Sequence, residues 1–102
     1  MQKRFEWDAG KAESNLQKHG VSFGLATRAF TDQFALVAQD RIENGELRWQ
    51  TLGMVDSYLL LLVVHTIFDE ASDGAEAIRI ISARRADPRE RKRYEENYSR
   101  SI

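Results

Sequence analysis

The stretch Tyr58 to Thr66 is a nearly continuous apolar run rich in Leu and Val. Its strictly apolar part, Leu59 to Val64, is far too short to span a bilayer. The run is also too short for a free-standing helix, and it reads as a central β-strand buried on both faces. The rest of the chain has to be arranged around that strand.

Helix signals cluster at the two ends. Phe5-Glu6-Trp7 reads as extended, and Asp8 then stands where an N-cap belongs, ahead of a helix over about 9–19. Ala12 and Leu16 mark its apolar side, and Gly20 supplies a left-handed C-cap with Val21 packing back on the last turn. Ser22 starts a second helix over about 23–30 carrying Phe23, Ala26, Ala29 and Phe30, closed by Asp32. Near the other end, Asp87-Pro88-Arg89-Glu90 combines a capping Asp, Pro at the first position and Glu at the third. That predicts a helix to about Tyr98.

Between these ends the periodicity changes to that of strands. Phe34 to Ala38 is short and apolar, and Asn44-Gly45 is a hairpin signal. Leu47, Trp49 and Thr51 alternate with Arg48, Gln50 and Leu52. A polar connection at 68–75 leads to a last strand, Ala77 to Ala83, with Ile78 and Ile80 on one face and Arg79 and Ile81 on the other. The order β-α-α, three or four antiparallel strands, then α predicts a single α+β domain over 1–102, with helices segregated on one face of an antiparallel sheet.

Composition closes off several classes of function. The chain has no cysteine, which excludes disulfides and thiolate metal sites, and His19 and His65 alone make no zinc site. Met1 to Glu6 lacks the apolar stretch of a signal peptide, so a soluble cytoplasmic protein is expected. The net charge of −1 conceals an asymmetry: residues 1–77 hold 7 Lys and Arg against 12 Asp and Glu, and residues 78–102 hold 8 against 4. A basic end of this kind suits phosphate, or an acidic protein.

Three groups of residues are candidates for chemistry. Lys11, Asn15, Lys18 and His19 share one side of the first helix, either as a solvated face or as a binding face. Arg79, with Ser82, Arg84 and Arg85, sits in an otherwise apolar strand; it must face water, a substrate anion or a carboxylate such as Glu46. His65, at the end of the central strand, is either an acid–base group or a hydrogen-bonded core residue. The last helix offers Arg89, Arg91, Lys92 and Arg93 around Tyr94, much of it explicable as surface pairing with Glu95 and Glu96. No P-loop, dinucleotide fingerprint, nucleophile elbow or acidic metal cluster is present in the sequence.

An ordered set of segments resembles the BrnT family of small RelE-like ribonuclease toxins. The resemblance is carried by Phe5-Glu6-Trp7-Asp8, by Lys11 and Asn15, and by Lys18-His19-Gly20-Val21-Ser22-Phe23. It continues through Arg48, Thr51-Leu52-Gly53-Met54 and Val64-His65-Thr66. Ile78-Arg79-Ile80-Ile81-Ser82-Ala83-Arg84-Arg85-Ala86, with Glu90-Arg91 and Tyr94-Glu95, completes it. The chain departs from the family at Gly24-Leu25, where an acidic pair is commoner, and in a longer, more acidic connection at 68–75.

The resemblance implies a RelE-like fold with a sheet of three to five strands, two N-terminal helices and one C-terminal helix. It also implies RNA cleavage that stops translation without metal or cofactor. The RNA 2′-hydroxyl serves as nucleophile in such a reaction, so the protein supplies cations for the phosphate and groups that move two protons. On that reading His65, Arg79, Arg84 and Tyr94 are catalytic, with His65 and Tyr94 moving protons, and Lys18, His19, Arg48, Arg85 and Arg91 bind substrate. The implied partners are RNA and a BrnA-like ribbon-helix-helix antitoxin, in a two-toxin two-antitoxin complex that binds operator DNA through the antitoxin. Residue chemistry alone leaves a rival class open: a non-catalytic binding module, such as a degenerate toxin acting only as corepressor.

Overall fold

The computed structural model describes residues 3–69 and 74–101. These form β1 (Lys3–Glu6), α1 (Ala9–His19), α2 (Phe23–Thr27) running into a 3-10 turn (Arg28–Thr31), β2 (Leu36–Glu43), β3 (Glu46–Val55), β4 (Leu59–Asp69), β5 (Glu76–Arg85) and α3 (Pro88–Ser101). The five strands make one sheet in the order β1-β5-β4-β3-β2. Strands β2 to β5 are antiparallel neighbours, and β1 joins the outer edge of β5 in parallel. The architecture is α+β, as the element order predicts, and RelE-like, as the resemblance implies. The helices are not segregated on one face as expected: α1 and α2 cover one side of the sheet and α3 packs on the other, because β4 is apolar on both faces. Among the described residues no helix is long and apolar enough to cross a membrane.

The apolar run is the middle strand, β4, extending past Thr66 to Asp69. Leu60, Leu61, Leu62 and Val63 are consecutive and all buried, so both faces of β4 are covered. Each such side chain contributes about 1.5–3 kcal/mol relative to exposure. Leu61 and Val63 pack with Val21, Phe23, Ala26, Ala29, Ile78 and Ile80 beneath the N-terminal helices. Leu60 and Leu62 pack with Leu52 and Tyr94 of α3 on the other face. The 3-10 turn lies so close on β3 that a Cβ on Gly53 would stand 2.3 Å from the Ala29 carbonyl oxygen. Of the polar connection at 68–75, Phe68 and Asp69 belong to β4; residues 70–73 lie outside the described residues.

Local signals act as their chemistry requires. The Asp8 carboxylate accepts from the Lys11 amide at 2.9 Å, and Gly20 takes φ 70° while its N–H donates to the Leu16 carbonyl. Ser22 Oγ accepts from the Leu25 amide at 3.0 Å. Asn44 and Gly45 both have positive φ, as a two-residue hairpin turn demands. Asp56 and Ser57 turn the next hairpin with positive φ as well, without a glycine to mark the place.

The first helix differs from expectation in which residue it buries. Leu16 is half-exposed, and the buried residue is Asn15. Strand β1 pairs with β5 only as far as Arg79, so the outer edge of β5 beyond it lacks a strand partner. The Asn15 amide fills that role: Nδ2 donates to the Ala83 carbonyl at 2.8 Å and Oδ1 accepts from the Ala83 N–H at 3.1 Å. Nδ2 also donates to the Val21 carbonyl at 2.9 Å, tying the loop after α1 to the same point. One side chain thus satisfies three buried backbone groups.

Asn15→Ala leaves these groups unpaired, and an expected loss of about 3 kcal/mol follows in urea denaturation. Asn15→Asp rescues none of it at neutral pH, because a carboxylate would face two carbonyls. A stability within 0.5 kcal/mol of wild type, on the ordinary scale of surface substitutions, would refute the clasp.

Candidate functional site

Directly paired residues in an antiparallel sheet point to the same face. Arg79 pairs with Thr66, Ser82 with Val64 and Arg84 with Leu62, so these six share one face. Simple alternation would put Arg79 and Arg84, an odd number of residues apart, on opposite faces. A β-bulge intervenes: His65 pairs with Ile80 and Val64 with Ser82, leaving Ile81 as the extra residue. That one residue sets the two arginines on the same side of the sheet, four residues apart along β4, the side that α3 covers at its Leu52–Leu62 end. Arg48 and Gln50 of β3 join this face, because Gln50 pairs with Val64.

Arg84, Arg79 and Arg48 are each held by a carboxylate. Glu90 binds Arg84 with two hydrogen bonds of 2.9 Å, a fork-to-fork pair. The same Glu90 closes the capping box of α3, with Oε1 accepting from the Asp87 amide and its own amide donating to Asp87 Oδ1. Burial opposes ionisation of Glu90, yet the Arg84 hydrogen bonds, the Asp87 amide and the Arg84 charge hold its pKa below the ordinary carboxylate value. Arg79 lies 3.5 Å from Glu46 and over the Phe68 ring at 5.1 Å, with 44% of its side chain still exposed. Arg48 pairs with Glu43 and is largely covered. Arg79 therefore has the carboxylate partner, Glu46, that the sequence offered, and part of its guanidinium stays open to solvent.

Of the two proton movers expected from the sequence, His65 lies on the opposite face and Tyr94 is buried at the α3-covered end of this one. His65 pairs with Ile80 on the helix-covered face and is 1% exposed, with its ring against Phe30 at 4.9 Å. It cannot touch a ligand bound on the face of Arg79 and Arg84. Its Nδ1 lies 3.2 Å from the Thr66 carbonyl, to which it donates, and Nε2 accepts from Thr51 Oγ1 at 2.7 Å. Burial lowers its pKa to about 4, partly offset by the Thr66 carbonyl. Tyr94 is buried against Leu52, Leu60 and Leu62, and its hydroxyl donates to Asp32 Oδ2 at 2.6 Å. Burial first, and then the bond to Asp32, pushes its pKa above the ordinary phenol value. Asp32 also accepts from the amides of Phe34 and Met54, so Tyr94 fastens α3 to the far end of β3.

The expected substrate-binding cations divide. Lys18, exposed, and His19, half-buried, belong to α1 over the helix-covered face, and Arg85 pairs with Leu61 on that same face. Arg91 is exposed on the first turn of α3. Only Arg48 stands with Arg79 and Arg84. The sequence reading passed over Glu90 as more than a cap; the signal for its second role was an arginine six residues earlier at the end of a strand. A cavity of about 810 Å³, lined by Asp32, Phe34, Tyr94 and Tyr98, lies at the far end of α3 from Glu90. A second, of about 580 Å³, opens beside Phe68 and Glu46, next to Arg79. Among the described residues no group of three or more His, Asp or Glu is placed to hold a metal ion.

The burial of His65 has a measurable consequence. Its folded pKa of about 4 lies below the unfolded value of 6.5, so its contribution to stability is complete above pH 6.5. That contribution, on the order of 3 kcal/mol, is lost as pH falls from 6.5 through 4. His65→Gln should flatten stability against pH over that window in urea titrations. An undiminished pH dependence in the variant would assign the effect to other groups.

The profile of the family described as "Ribonuclease toxin, BrnT, of type II toxin-antitoxin system" matches residues 7–90. The Brucella abortus ribonuclease toxin BrnT, a crystal structure at 1.1 Å, is similar in fold, with a TM-score of 0.60 and 24% identity. The alignment covers 85% of this chain and 99% of that one. No curated protein matches. The matched segment spans α1 to the capping box of α3, and so includes Asn15, the bulge, Arg48, Arg79 and Arg84: the chain belongs to the BrnT family of ribonuclease toxins of type II toxin–antitoxin systems.

Proposed function

We propose that this chain is an endoribonuclease that cuts RNA on the open face of its sheet, with Arg79 and Arg84 receiving the scissile phosphate. The observation that carries the proposal is the bulge at Ile81, which sets both guanidinium groups on the one face that helices leave partly uncovered. In the reaction the 2′-oxygen loses its proton and bonds to phosphorus, and the P–O5′ bond breaks. The departing O5′ takes up a proton, leaving a 2′,3′-cyclic phosphate and a 5′-hydroxyl. Negative charge grows on the non-bridging oxygens, which meet the guanidinium N–H groups that Glu90 and Glu46 leave free. The two carboxylates hold the guanidinium groups in place before substrate arrives, so little reorganisation accompanies binding. The RNA supplies the nucleophile, so cleavage proceeds without metal and blocks translation by destroying messages.

The antitoxin fits the same surface. A BrnA-like protein with a ribbon-helix-helix dimer covers the open face and the basic start of α3, and the toxin–antitoxin pair represses its own operon. Dimerisation through the antitoxin gives two toxins and two antitoxins about a two-fold axis. Light scattering of the co-expressed pair should show that stoichiometry; a one-to-one complex would exclude it. Acidic antitoxin side chains near Arg79, Arg84 and Arg91 would make association slow with rising salt more than dissociation quickens.

Arg79→Ala and Arg84→Ala should each lower the cleavage rate about a hundred- to a thousandfold. Circular dichroism should show both variants folded. Wild-type cleavage should survive EDTA and leave cyclic phosphate ends. Folded variants that cut RNA at the wild-type rate would show that the chemistry lies elsewhere.

A further inference from the structure

Strand β3 reaches back to Glu46 and β4 runs on to Asp69, yet their pairing ends at Trp49 and His65. Beyond that pair the two strands part, and the cavity of about 580 Å³ lies between residues 45–49 of one and 66–68 of the other. Next to the break the Thr66 carbonyl accepts from the His65 ring. Thr66 itself is 1% exposed, and its hydroxyl has no hydrogen-bond partner. A buried hydroxyl without a partner is costly, and few native groups are left so.

The cleft joins aromatic walls to polar groups. Phe68 lines it on the face of Arg79, half-buried, together with Glu46 and Thr66, and Trp49, which pairs with His65, lines it from the other face. Glu46 Oε2 lies 3.5 Å from the Arg79 guanidinium. Phe68 lies under the Arg79 guanidinium, so the cleft abuts the position assigned above to the scissile phosphate. A flat aromatic ring beside a phosphate-binding arginine suits an unstacked base of single-stranded RNA. A carboxylate repels phosphate, which makes Glu46 a poor backbone contact and a good acceptor for base N–H groups.

We infer that the cleft between β3 and β4 is a nucleobase subsite that selects guanine, read by Glu46 and Thr66; the inference rests on the ribonuclease reading. Guanine alone among the four bases offers two adjacent N–H donors, N1–H and the N2 amine, to a single carboxylate. Its O6, next to N1–H, accepts from a neighbouring hydroxyl such as that of Thr66. Adenine and cytosine set an acceptor beside their amino group, and uracil flanks its one N–H with two carbonyls.

The test uses uncleavable 2′-fluoro RNA oligonucleotides that differ in one central base, with binding followed by fluorescence anisotropy. Guanosine should bind at least about tenfold tighter than inosine, which lacks only the N2 amine, since a hydrogen bond to a charged group is worth that much or more. Glu46→Gln should erase the preference, even if freeing Arg79 strengthens binding to every oligonucleotide. Thr66→Val, which keeps the shape, should reduce the guanosine preference without lowering the melting temperature. Equal binding of all bases, or a preference intact in Glu46→Gln, would overturn the subsite and leave the ribonuclease reading standing. A Thr66→Val protein with a lower melting temperature and unchanged selectivity would overturn the part given to Thr66. Absence of both RNA binding and RNA cleavage by the wild type would overturn the two together.

Discussion

Burial of β4 on both faces is the constraint from which the other features follow. Consecutive residues Leu60 to Val63 cannot all leave water unless something covers each side of the sheet. The N-terminal helices cover one side and reach across β5 and β4. On the other side α3 is the sole helix among the described residues, and its apolar contact lies at the end where Leu52, Leu60 and Leu62 meet Tyr94. The strands continue beyond that cover, and there the exposed half of the face carries charged residues. The open site is thus the remainder of a two-sided core that one side covers incompletely.

Polar side chains act mainly as fasteners between elements. Asn15 substitutes for a missing strand along β5, and Asp32 gathers Phe34, Met54 and Tyr94, so that the 3-10 turn, β3 and α3 meet at one carboxylate. Glu90 starts α3 and holds Arg84 with the same two oxygens. In each case one group satisfies several partners, which suits a small domain whose core supplies only a modest margin. The arrangement also couples site to scaffold: Arg84 cannot shift without disturbing the first turn of α3.

Much of the fold was legible because its signals are local. Asp8, Gly20, Ser22 and the Asp87–Glu90 box work through hydrogen bonds three or four residues away, and Asn44-Gly45 through its own dihedral angles. The Asp56-Ser57 turn carried no such mark, since its residues take positive φ without a glycine. Leu16 and Asn15 show the limit of hydrophobicity as a guide. The apolar residue stays in solvent, and the amide is buried because Ala83, 68 residues away in sequence, offers it two backbone partners.

The candidate site was legible as a set of residue types and illegible as an arrangement. The sequence by itself determined the positions of the helices, the central strand and the presence of arginines in the last strand, because caps, turn dihedrals and side-chain alternation are short-range effects. Which face each strand residue occupies was decided only by the tertiary structure. Strict alternation would divide Arg79 from Arg84; the extra residue at Ile81, set by pairing with β4, reverses the parity and unites them. The same pairing turns His65 inward to Thr51 and Phe30. Register is a property of two strands at once, so no reading of either strand alone can supply it.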